Sequence, residues 1–385
     1  MTVLVAINHF LPGYKAGGPT RSIANLIATP GTAIRWSLVT SDRDYGSDVP
    51  YQSVQVESFA AYNGIECLYI NQQKLGLLAW YKILSRGKYN WLYLNSLWNL
   101  RYSLLPLIAS MICTPRPQVM LAPRGELGHG ALSKSRIPKR IALSILRVFR
   151  VYRRVTWHAT NEQESLAIRR KIDESATVRI MSNVPVSPAR VVPENPLPQR
   201  NRFVCIARIT YMKNQLWLLQ LLRSVRSAIV LDLYGPLEDP EYWTRCTEVI
   251  KLLPSHVLVN YKGPVEPQRI KSLLSSYAYF ILPTRGENYG HAIAEALGVG
   301  VPVVISDQTP WRRLDEVGAG YDLSLDNPDS WIQRLSELAS LGDPAYSVMQ
   351  ENALALASGR YEEHEWGSEI SQLFSQSDDE INRKP

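Results

Sequence analysis

Residues 279–307 read YFILPTRGENYGHAIAEALGVGVPVVISD, and this stretch decides the fold. Its apolar runs and its glycines predict a strand, a loop, a helix and a second strand at 279–283, 284–290, about His291 to Leu297, and 301–306. Apolar strands that alternate with helices are typical of a parallel sheet covered on both faces. The segment therefore indicates an α/β fold.

The same alternation extends over the rest of the chain. Further strand-like apolar runs occupy 3–7, 91–94, 119–123, 203–207 and 229–235. Five prolines in 184–200 remove backbone donors and prevent a helix, so this segment is interpreted as a linker. Each half repeats the pattern, which favours two Rossmann-like domains facing each other across a cleft. We predict an N-terminal domain, a linker, a C-terminal domain, and a final helix and tail packing back on the N-terminal domain, at 1–183, 184–200, 201–363 and 364–385.

Composition excludes several protein classes. The chain has 385 residues, 45% of them hydrophobic and 20% charged, which is ordinary globular composition. Its longest stretches without a charged side chain, 1–14 and 102–115, have fourteen residues each, whereas a membrane-spanning helix needs about 20. The N-terminus lacks the basic region of a secretory signal and is predicted to be a buried strand. The four cysteines form no CxxC pair, which excludes a zinc ribbon and fits a reducing cytosol.

Charge is distributed unequally between the two halves. Residues 1–190 carry 24 Lys/Arg and 10 Asp/Glu, a net +14, whereas residues 191–385 carry 18 and 25, a net −7. Such asymmetry indicates that one half faces an anionic partner, with nucleic acid, anionic lipid and sugar phosphates as the candidates. The alternative is a drift in surface charge without a function.

The loop and helix of the 279–307 segment carry candidate ligand contacts. Gly290 lies at the predicted helix entrance, where unpaired N–H groups and the helix dipole favour a phosphate. Glu287 on the loop and Glu295 in the helix can accept hydrogen bonds from two hydroxyl-rich groups flanking a diphosphate, as in a nucleotide sugar. Spacing alone also allows Glu287 to be a charge that complements the dipole and Glu295 to be a solvated helix residue.

Two other segments offer phosphate contacts. Arg208 and Lys213 follow a buried strand, the usual place for ligands of parallel sheets, and two cations there can neutralise a diphosphate. Gly17 and Gly18 precede a helix predicted to begin near Thr20 and supply unhindered N–H groups. Solvated loop charges and a plain glycine turn are the respective alternatives. A P-loop is excluded because no GxxxxGK[ST] occurs.

The order of these pieces resembles the family 4 glycosyltransferases of GT-B fold. The shared features are the N-terminal Gly-Gly loop, the ARI…K segment with Arg208 and Lys213, and the E-x7-E motif ENYGHAIAE. The phrase ALGVGVPVVISDQTPW also looks like that family, in which a helix–strand unit and the following loop enclose the nucleotide. The likeness spans most of the chain and is strongest over 203–320.

The resemblance implies a donor site and a mechanism. Arg208 and Lys213 would bind the diphosphate and act in the chemical step, Glu287 would hold the reacting hexose, and Glu295 would hold the ribose. Further donor contacts would come from Gly17, Gly18, Asn288, Tyr289, Gly290 and His291. The family retains the anomeric configuration by front-face transfer, in which the leaving phosphate helps to remove the acceptor proton. It needs no metal, and no cofactor is expected here.

The family often has a His or Asp in the N-terminal domain that contacts the sugar. Here the segment LAPRGELGHGALS offers Arg124, Glu126 and His129. His129 stands between two glycines, where it could hydrogen-bond a sugar hydroxyl or the leaving oxygen as a catalytic group, or have no role. His158 precedes a predicted helix and is interpreted as structural.

A basic segment follows these residues. Between Leu127 and Asn161 there is no acidic residue, and a helical wheel places an apolar arc opposite a cationic arc. The cationic arc consists of Lys139, Arg140, Arg147, Arg150, Arg153 and Arg154. Such a helix can bind an anionic membrane, and it can also pack its apolar arc on the sheet with its cations in water. We assign these cations, with Arg124 and Glu126, to the acceptor or membrane side.

The leading interpretation is a retaining, metal-independent glycosyltransferase. It would move a hexose from a UDP- or GDP-sugar to a lipid-linked or polysaccharide acceptor, with a polyprenyl-diphosphate-linked glycan as one candidate. The implied process is cell-surface glycan synthesis (O-antigen, exopolysaccharide or lipopolysaccharide) in the cytoplasm, peripheral at the inner face of the membrane. The alternative is a nucleotide-sugar epimerase or a phosphorylase of the same layout. Nucleic-acid binding is disfavoured because the basic segment lacks interleaved aromatics and any known reading module.

Overall fold

The computed structural model describes residues 1–127, 152–189 and 198–375. The chain divides into two compact units. The first unit holds Met1–Val184 together with Glu365–Pro385, and the second unit holds Pro185–His364. Among the described residues, no helix is both long enough and apolar enough to cross a membrane.

The first unit is built on an eight-stranded sheet. Its strands β1 to β8 are Thr2–Ala6, Arg35–Ser41, Ala60–Tyr62, Ile65–Ile70, Trp91–Leu94, Gln118–Leu121, Val155–Ala159 and Val178–Ile180. Their order across the sheet is β3-β4-β2-β1-β5-β6-β7-β8, and every neighbouring pair is parallel except β3 and β4. The described helices α1 to α4 are Gly18–Ala28, Leu77–Arg86, Leu105–Ile112 and Glu162–Lys171. A π-helical turn, Leu100–Leu104, leads directly into α3.

The second unit is built on a six-stranded sheet that is parallel throughout. Its strands β9 to β14 are Arg202–Ile206, Ile229–Tyr234, Val257–Gly263, Tyr279–Leu282, Val303–Ser306 and Gly320–Leu323. They lie in the order β11-β10-β9-β12-β13-β14. Helices α5 to α10 are Gln215–Leu222, Pro240–Ile250, Pro267–Leu274, His291–Leu297, Pro328–Ala339 and Asp343–Glu362.

Apolar strands and polar helix caps explain these elements. All residues of β5, β12 and β13 are buried, because helices cover both faces of each sheet. Asn161, Asp239 and Asn327 precede α4, α6 and α9, and each side chain accepts a hydrogen bond from a backbone N–H of the first turn. The prediction of an α/β fold with two Rossmann-like parallel sheets is confirmed.

The last described helix, α11 (Trp366–Leu373), belongs to the first unit. The residue after it, Phe374, is fully buried, and its ring lies 5.6 Å from Trp36, 5.9 Å from Trp91 and 5.3 Å from Tyr93. A distant segment of the chain therefore completes the core beside β2 and β5.

Candidate functional site

Three neighbouring strands of the second sheet, β9, β12 and β13, bring their loops together at one edge. The Arg285 N–H donates to the Met212 carbonyl at 2.8 Å, which joins the loop after β12 to the loop after β9. The Glu287 N–H donates to the Gln308 carbonyl at 3.0 Å, which joins it to the loop after β13. The loop with the E-x7-E motif is therefore fixed on both sides by backbone hydrogen bonds. This edge is the usual ligand-binding edge of parallel sheets.

Lys213 and Glu287 form an ion pair across two of these loops. The Lys213 ammonium donates to Glu287 Oε1, and the two side chains are only 16% and 13% exposed. The Lys213 loop is held by the buried side chain of Gln215, which donates to the Arg208 carbonyl at 2.9 Å and accepts from the Thr210 N–H at 3.3 Å. Two residues predicted to meet one donor molecule are thus in direct contact.

Arg208 forms a second ion pair at the same edge. Its Nη1 lies 2.7 Å from Glu238 Oε2, and both side chains are partly exposed. Glu238 follows β10, whose end passes close to β9 because Gly235 has no side chain. A Cβ at Gly235 would lie 2.0 Å from the Ala207 carbonyl oxygen. The loop after β10 therefore belongs to the site, and nothing in the spacing of Arg208 and Lys213 indicated it.

Gly290 begins α8 in the left-handed conformation, with φ of 82°. A Cβ there would come within 2.9 Å of the Ile293 side chain, so a larger residue is disfavoured by both strain and space. The preceding carbonyl, that of Tyr289, accepts a hydrogen bond of 2.8 Å from the indole of Trp311. The helix spans His291–Leu297, as the sequence predicts. The ENYG turn therefore has a fixed shape.

Arg360 supports this turn from α10. Its guanidinium lies 4.3 Å from the centroid of the Trp311 ring, and burial lowers its pKa from the ordinary arginine value. Burial also raises the pKa of the nearby Tyr289 phenol, which stays neutral. Sequence analysis missed Arg360, because no local signal connects it to a turn seventy positions earlier.

Glu295 is buried on α8, with 7% of its surface exposed. The interpretation as a solvated helix residue is therefore wrong, because a carboxylate at this depth needs polar partners. Asn288 and His291, which precede Glu295 in the chain, are partly exposed. The His291 ring lies 4.9 Å from the Tyr289 ring.

In the first unit, Gly17 and Gly18 lie at the start of α1. Gly17 caps the helix with φ of 77°, and Gly18 is its first residue, two positions earlier than predicted. Gly18 is exposed, and Gly17 is partly exposed. Their N–H groups are thus near the surface at the amino end of an eleven-residue helix.

Arg124 lies at the carboxyl edge of the first sheet and bonds to neutral groups. Its guanidinium donates to Asn95 Oδ1 at 2.9 and 3.2 Å, to Asn183 Oδ1 at 2.5 Å and to the Tyr93 hydroxyl at 2.7 Å. Tyr93 belongs to β5 and Asn95 follows it, whereas Asn183 follows β8. These two strands flank β6 and β7. Sequence analysis proposed Arg124 but missed its three partners.

Behind Arg124 lies a buried histidine. The Tyr93 hydroxyl lies 2.6 Å from His158 Nδ1, and His158 Nε2 lies 2.9 Å from the Met181 carbonyl. Since a carbonyl only accepts, Nε2 carries the proton and Nδ1 accepts from the phenol. Burial and the nearby Arg124 charge lower the pKa of His158 to about 3, and burial raises that of Tyr93 to about 12. Both are neutral at neutral pH, which agrees with a structural His158.

Glu126 is also engaged inside the first unit. Its carboxylate accepts from the Ser96 hydroxyl at 2.8 Å and from the Leu97 N–H at 2.5 Å. Arg153 and Arg154 are exposed. The remaining predicted residues of this side lie outside the described residues: His129, Lys139, Arg140, Arg147 and Arg150. In the described ranges, no cluster of His, Cys, Asp and Glu has the arrangement of a metal site.

Comparisons with known proteins identify a matching family model, a relative over part of the chain, and similar folds. Residues 200–340 match the family model of group 1 glycosyl transferases. The putative glycosyltransferase EpsF of Bacillus subtilis is 28% identical over 160 residues, which are 39% of this chain and 39% of that protein. The match thus covers well under half of the relative's length.

Two solved structures resemble nearly the whole chain. Sucrose-phosphate synthase from Thermosynechococcus elongatus has a TM-score of 0.70 at 14% identity, over 99% of this chain and 98% of that one. The Anabaena protein HepE, in complex with UDP and glucose, has a TM-score of 0.71 at 16% identity, over 97% and 98%. The fold is GT-B. At these identities the likeness describes the fold alone.

Proposed function

We propose that this protein is a retaining glycosyltransferase. It moves a hexose from a UDP- or GDP-sugar to a lipid-linked or polysaccharide acceptor. The observation that carries the proposal is the Lys213–Glu287 contact at the carboxyl edge of the second sheet, inside the segment that matches group 1 glycosyl transferases. The bound UDP and glucose of HepE support a uridine nucleotide donor.

The chemical step follows from charge. When the bond between the anomeric carbon and the diphosphate oxygen breaks, negative charge grows on the departing diphosphate. Lys213 and Arg208 stabilise that charge, and the stabilisation is greatest in the transition state. Glu287 accepts from hexose hydroxyls and Glu295 from ribose hydroxyls. The acceptor oxygen forms its bond on the same face, and its proton passes to the leaving phosphate, so configuration is retained and no metal is needed.

Both cations already have carboxylate partners in the described structure. A diphosphate entering the site therefore exchanges with, or adds to, Glu238 at Arg208 and Glu287 at Lys213. The partly exposed Arg208–Glu238 pair contributes about 0–1 kcal/mol, so an incoming dianion can replace it at small cost, whereas the mostly buried Lys213–Glu287 pair favours addition of the diphosphate beside it. Until then, the carboxylates hold the cations at the edge of the sheet.

We also propose a location and a process. The cations of residues 134–154 and the net charge of +14 over 1–190 favour a cytoplasmic enzyme held at an anionic membrane face, acting in cell-surface glycan synthesis.

A panel of UDP- and GDP-sugars tests the activity. The correct donor is expected to raise the unfolding temperature and to release nucleoside diphosphate in the presence of an acceptor glycan, with turnover unchanged by chelator. Proton NMR of the product gives the anomeric configuration. Conversion of a sugar nucleotide to its epimer without acceptor would instead establish the epimerase alternative. Absence of any donor-dependent stabilisation would refute both.

A further inference from the structure

The second helix of the first unit has an apolar outer side. Leu77, Leu78 and Tyr81 on α2 are 39%, 65% and 38% exposed, while Trp80 on the same helix is fully buried. Tyr81 is four positions after Leu77 and three after Leu78, so the three side chains share one side of the helix. Water is thus in contact with three large apolar groups in a single turn.

The third helix is largely apolar on its outer as well as its buried side. Its one serine, Ser110, is buried and donates to the Leu107 carbonyl at 2.6 Å. The less buried arc, about 120° wide at 100° per residue, carries only apolar side chains, two of which also pack against the core. Its members are Leu105, Ile108, Met111 and Ile112, of which the first three are partly exposed and Ile112 is 58% exposed. A helix whose outer side is in contact with water alone normally carries polar residues there.

These two helices pack against each other. The Trp80 indole donates to the Arg101 carbonyl at 2.6 Å, and the Arg101 guanidinium donates to the Gln72 carbonyl just before α2. Leu100, next to Arg101, is itself 55% exposed. We call the exposed apolar side chains of these neighbouring helices and of the turn before α3 the apolar face; they are Leu77, Leu78, Tyr81, Leu100 and Ile112. Contiguous exposed apolar surface of this kind marks an interaction site.

The sequence around the apolar face is basic. Residues 67–125 contain no Asp or Glu and seven Lys or Arg. Lys82 and Arg86 lie beside Leu78 on the helical wheel, and Lys88 follows α2; all three are exposed, and within the described ranges no ion pair is found for them. Lys74, by contrast, pairs with Glu57. Three exposed cations therefore border an apolar surface.

We propose that the apolar face is the surface by which this protein binds an anionic lipid bilayer. The leucines, Tyr81 and Ile112 enter the boundary between headgroups and acyl chains, and Lys82, Arg86 and Lys88 contact the phosphates. A bilayer supplies both counterparts, since it offers apolar and anionic groups within a few ångströms of one another. Eight residues of α3 extend only about 12 Å, so the contact lies in the interface and does not span the bilayer.

The lipid contact extends the proposed function by assigning the membrane side to a particular surface. The lipid contact rests on the proposed function only where it brings the enzyme to a lipid-linked acceptor, because binding to a bilayer itself requires no turnover. It also differs from the contact expected of the 134–154 cations, since apolar insertion persists when salt screens charge.

Vesicle sedimentation of the full-length protein tests the proposal. Wild type is expected to bind vesicles of mixed phosphatidylglycerol and phosphatidylcholine, more weakly at high salt but still measurably. Leu78→Gln with Ile112→Gln is expected to lower the partition coefficient roughly thirtyfold or more at either salt concentration, because two side chains no longer enter the bilayer. The matched control is Leu252→Gln with Val348→Gln in the second unit, 64% and 55% exposed, which is expected to bind as wild type does.

The charge contribution has its own pair of variants. Lys82→Gln, Arg86→Gln and Lys88→Gln together are expected to weaken binding at low salt by about a hundredfold, near fivefold per cation. The control removes three exposed cations of the second unit, Arg223, Arg226 and Arg245, by the same substitution. Circular dichroism is expected to give unchanged unfolding temperatures for all variants, since no core residue is altered.

Three results would overturn the lipid contact. The first is vesicle binding by the Leu78→Gln, Ile112→Gln variant as strong as that of wild type. The second is no vesicle binding by wild type. The third is a dimer in gel filtration that this variant alone dissociates. The last would make the apolar face a contact between protein copies. None of these affects donor-dependent thermal stabilisation, so failure of the lipid contact and failure of the proposed function are separate outcomes.

Discussion

The two sheets carry arginine at their carboxyl edges in different surroundings. In the second unit, Arg208 and Lys213 are paired with carboxylates on neighbouring loops. In the first unit, Arg124 donates to amide and phenol oxygens, and a neutral tyrosine–histidine pair lies behind it. The charge of Arg124 is thus held by neutral acceptors, whereas the other two cations are held by anions.

This difference assigns different tasks to the two edges. A carboxylate partner can be exchanged for a phosphate at a cost of about 0–1 kcal/mol when the pair is partly exposed, as Arg208 and Glu238 are. Breaking a buried network of neutral groups leaves donors and acceptors unsatisfied, at about 1–3 kcal/mol for each. The second edge is therefore suited to binding and release, and the first to keeping four strand ends in register.

The largest expected effect is on turnover in the second unit. Lys213→Ala and Arg208→Ala are each expected to lower kcat/KM about a hundredfold, because each removes a positive charge from the leaving diphosphate. Steady-state kinetics measures the change in kcat/KM, and urea unfolding measures any change in stability. Arg226→Ala, an exposed cation of the same unit, is the control. If the free energy of unfolding fell by as much as the activation free energy rose, the ion pair of that cation would be structural and not exchangeable.

The two glutamates of the motif separate binding from chemistry. Glu295→Ala is expected to raise the donor KM, and Glu287→Ala to lower kcat, each about ten- to a hundredfold, the worth of one charged hydrogen bond. Isothermal calorimetry with UDP isolates the binding step. If Glu295→Ala bound UDP as tightly as wild type does, the assignment of Glu295 to the ribose hydroxyls would be wrong.

The Tyr93–His158 pair is expected to control stability and its pH dependence. An unfolded histidine titrates near pH 6.5, whereas burial lowers the pKa of folded His158 to about 3. Between these values only the unfolded chain takes up the proton, so the free energy of unfolding falls as pH falls below 6.5. From pH 7.5 to 5 this group contributes a loss of about 2 kcal/mol. In urea unfolding, the free energy of unfolding of His158→Gln is expected to fall less than that of wild type over this pH range. If the variant and wild type had the same pH dependence, a neutral His158 in the folded state would be excluded.

The smallest expected effect comes from the partner of Arg208. Glu238→Gln removes the competing carboxylate, so the donor KM is expected to fall by up to about fivefold while kcat changes little. Asp239, the adjacent helix cap, provides the contrast, because Asp239→Asn keeps both Arg208 and Glu238. An increase in KM on Glu238→Gln would show that this carboxylate positions Arg208 for the donor.

Sequence patterns predicted the repeated units of the fold well. The strand at 91–94 and the helix from His291 to Leu297 were placed correctly, since apolar runs and glycines determine them locally. The assignment of Lys213 and Glu287 to one donor site came instead from the resemblance to family 4 glycosyltransferases, because spacing alone left both with other interpretations; the two side chains are in contact.

Contacts that depend on strand order were not predictable. Arg124 meets Asn183, fifty-nine positions away, because β6, β7 and β8 are neighbours in the sheet. Glu238 meets Arg208 because β10 lies beside β9. Neither pairing leaves a local pattern, since it arises from tertiary packing. The exposure of Ile112 on α3 was likewise unpredicted, because a short apolar run does not indicate which side is buried.

The position of Phe374 has a consequence for biosynthesis. Trp36, Trp91 and Tyr93 surround a ring that the ribosome adds only after the whole second unit. The second unit, Pro185–His364, contains all of its own core and can be finished before α11 is made. The first unit, although its larger part is translated earlier, keeps an open core until residue 374 emerges. The first unit therefore completes its core after the second, in reverse of the usual vectorial order.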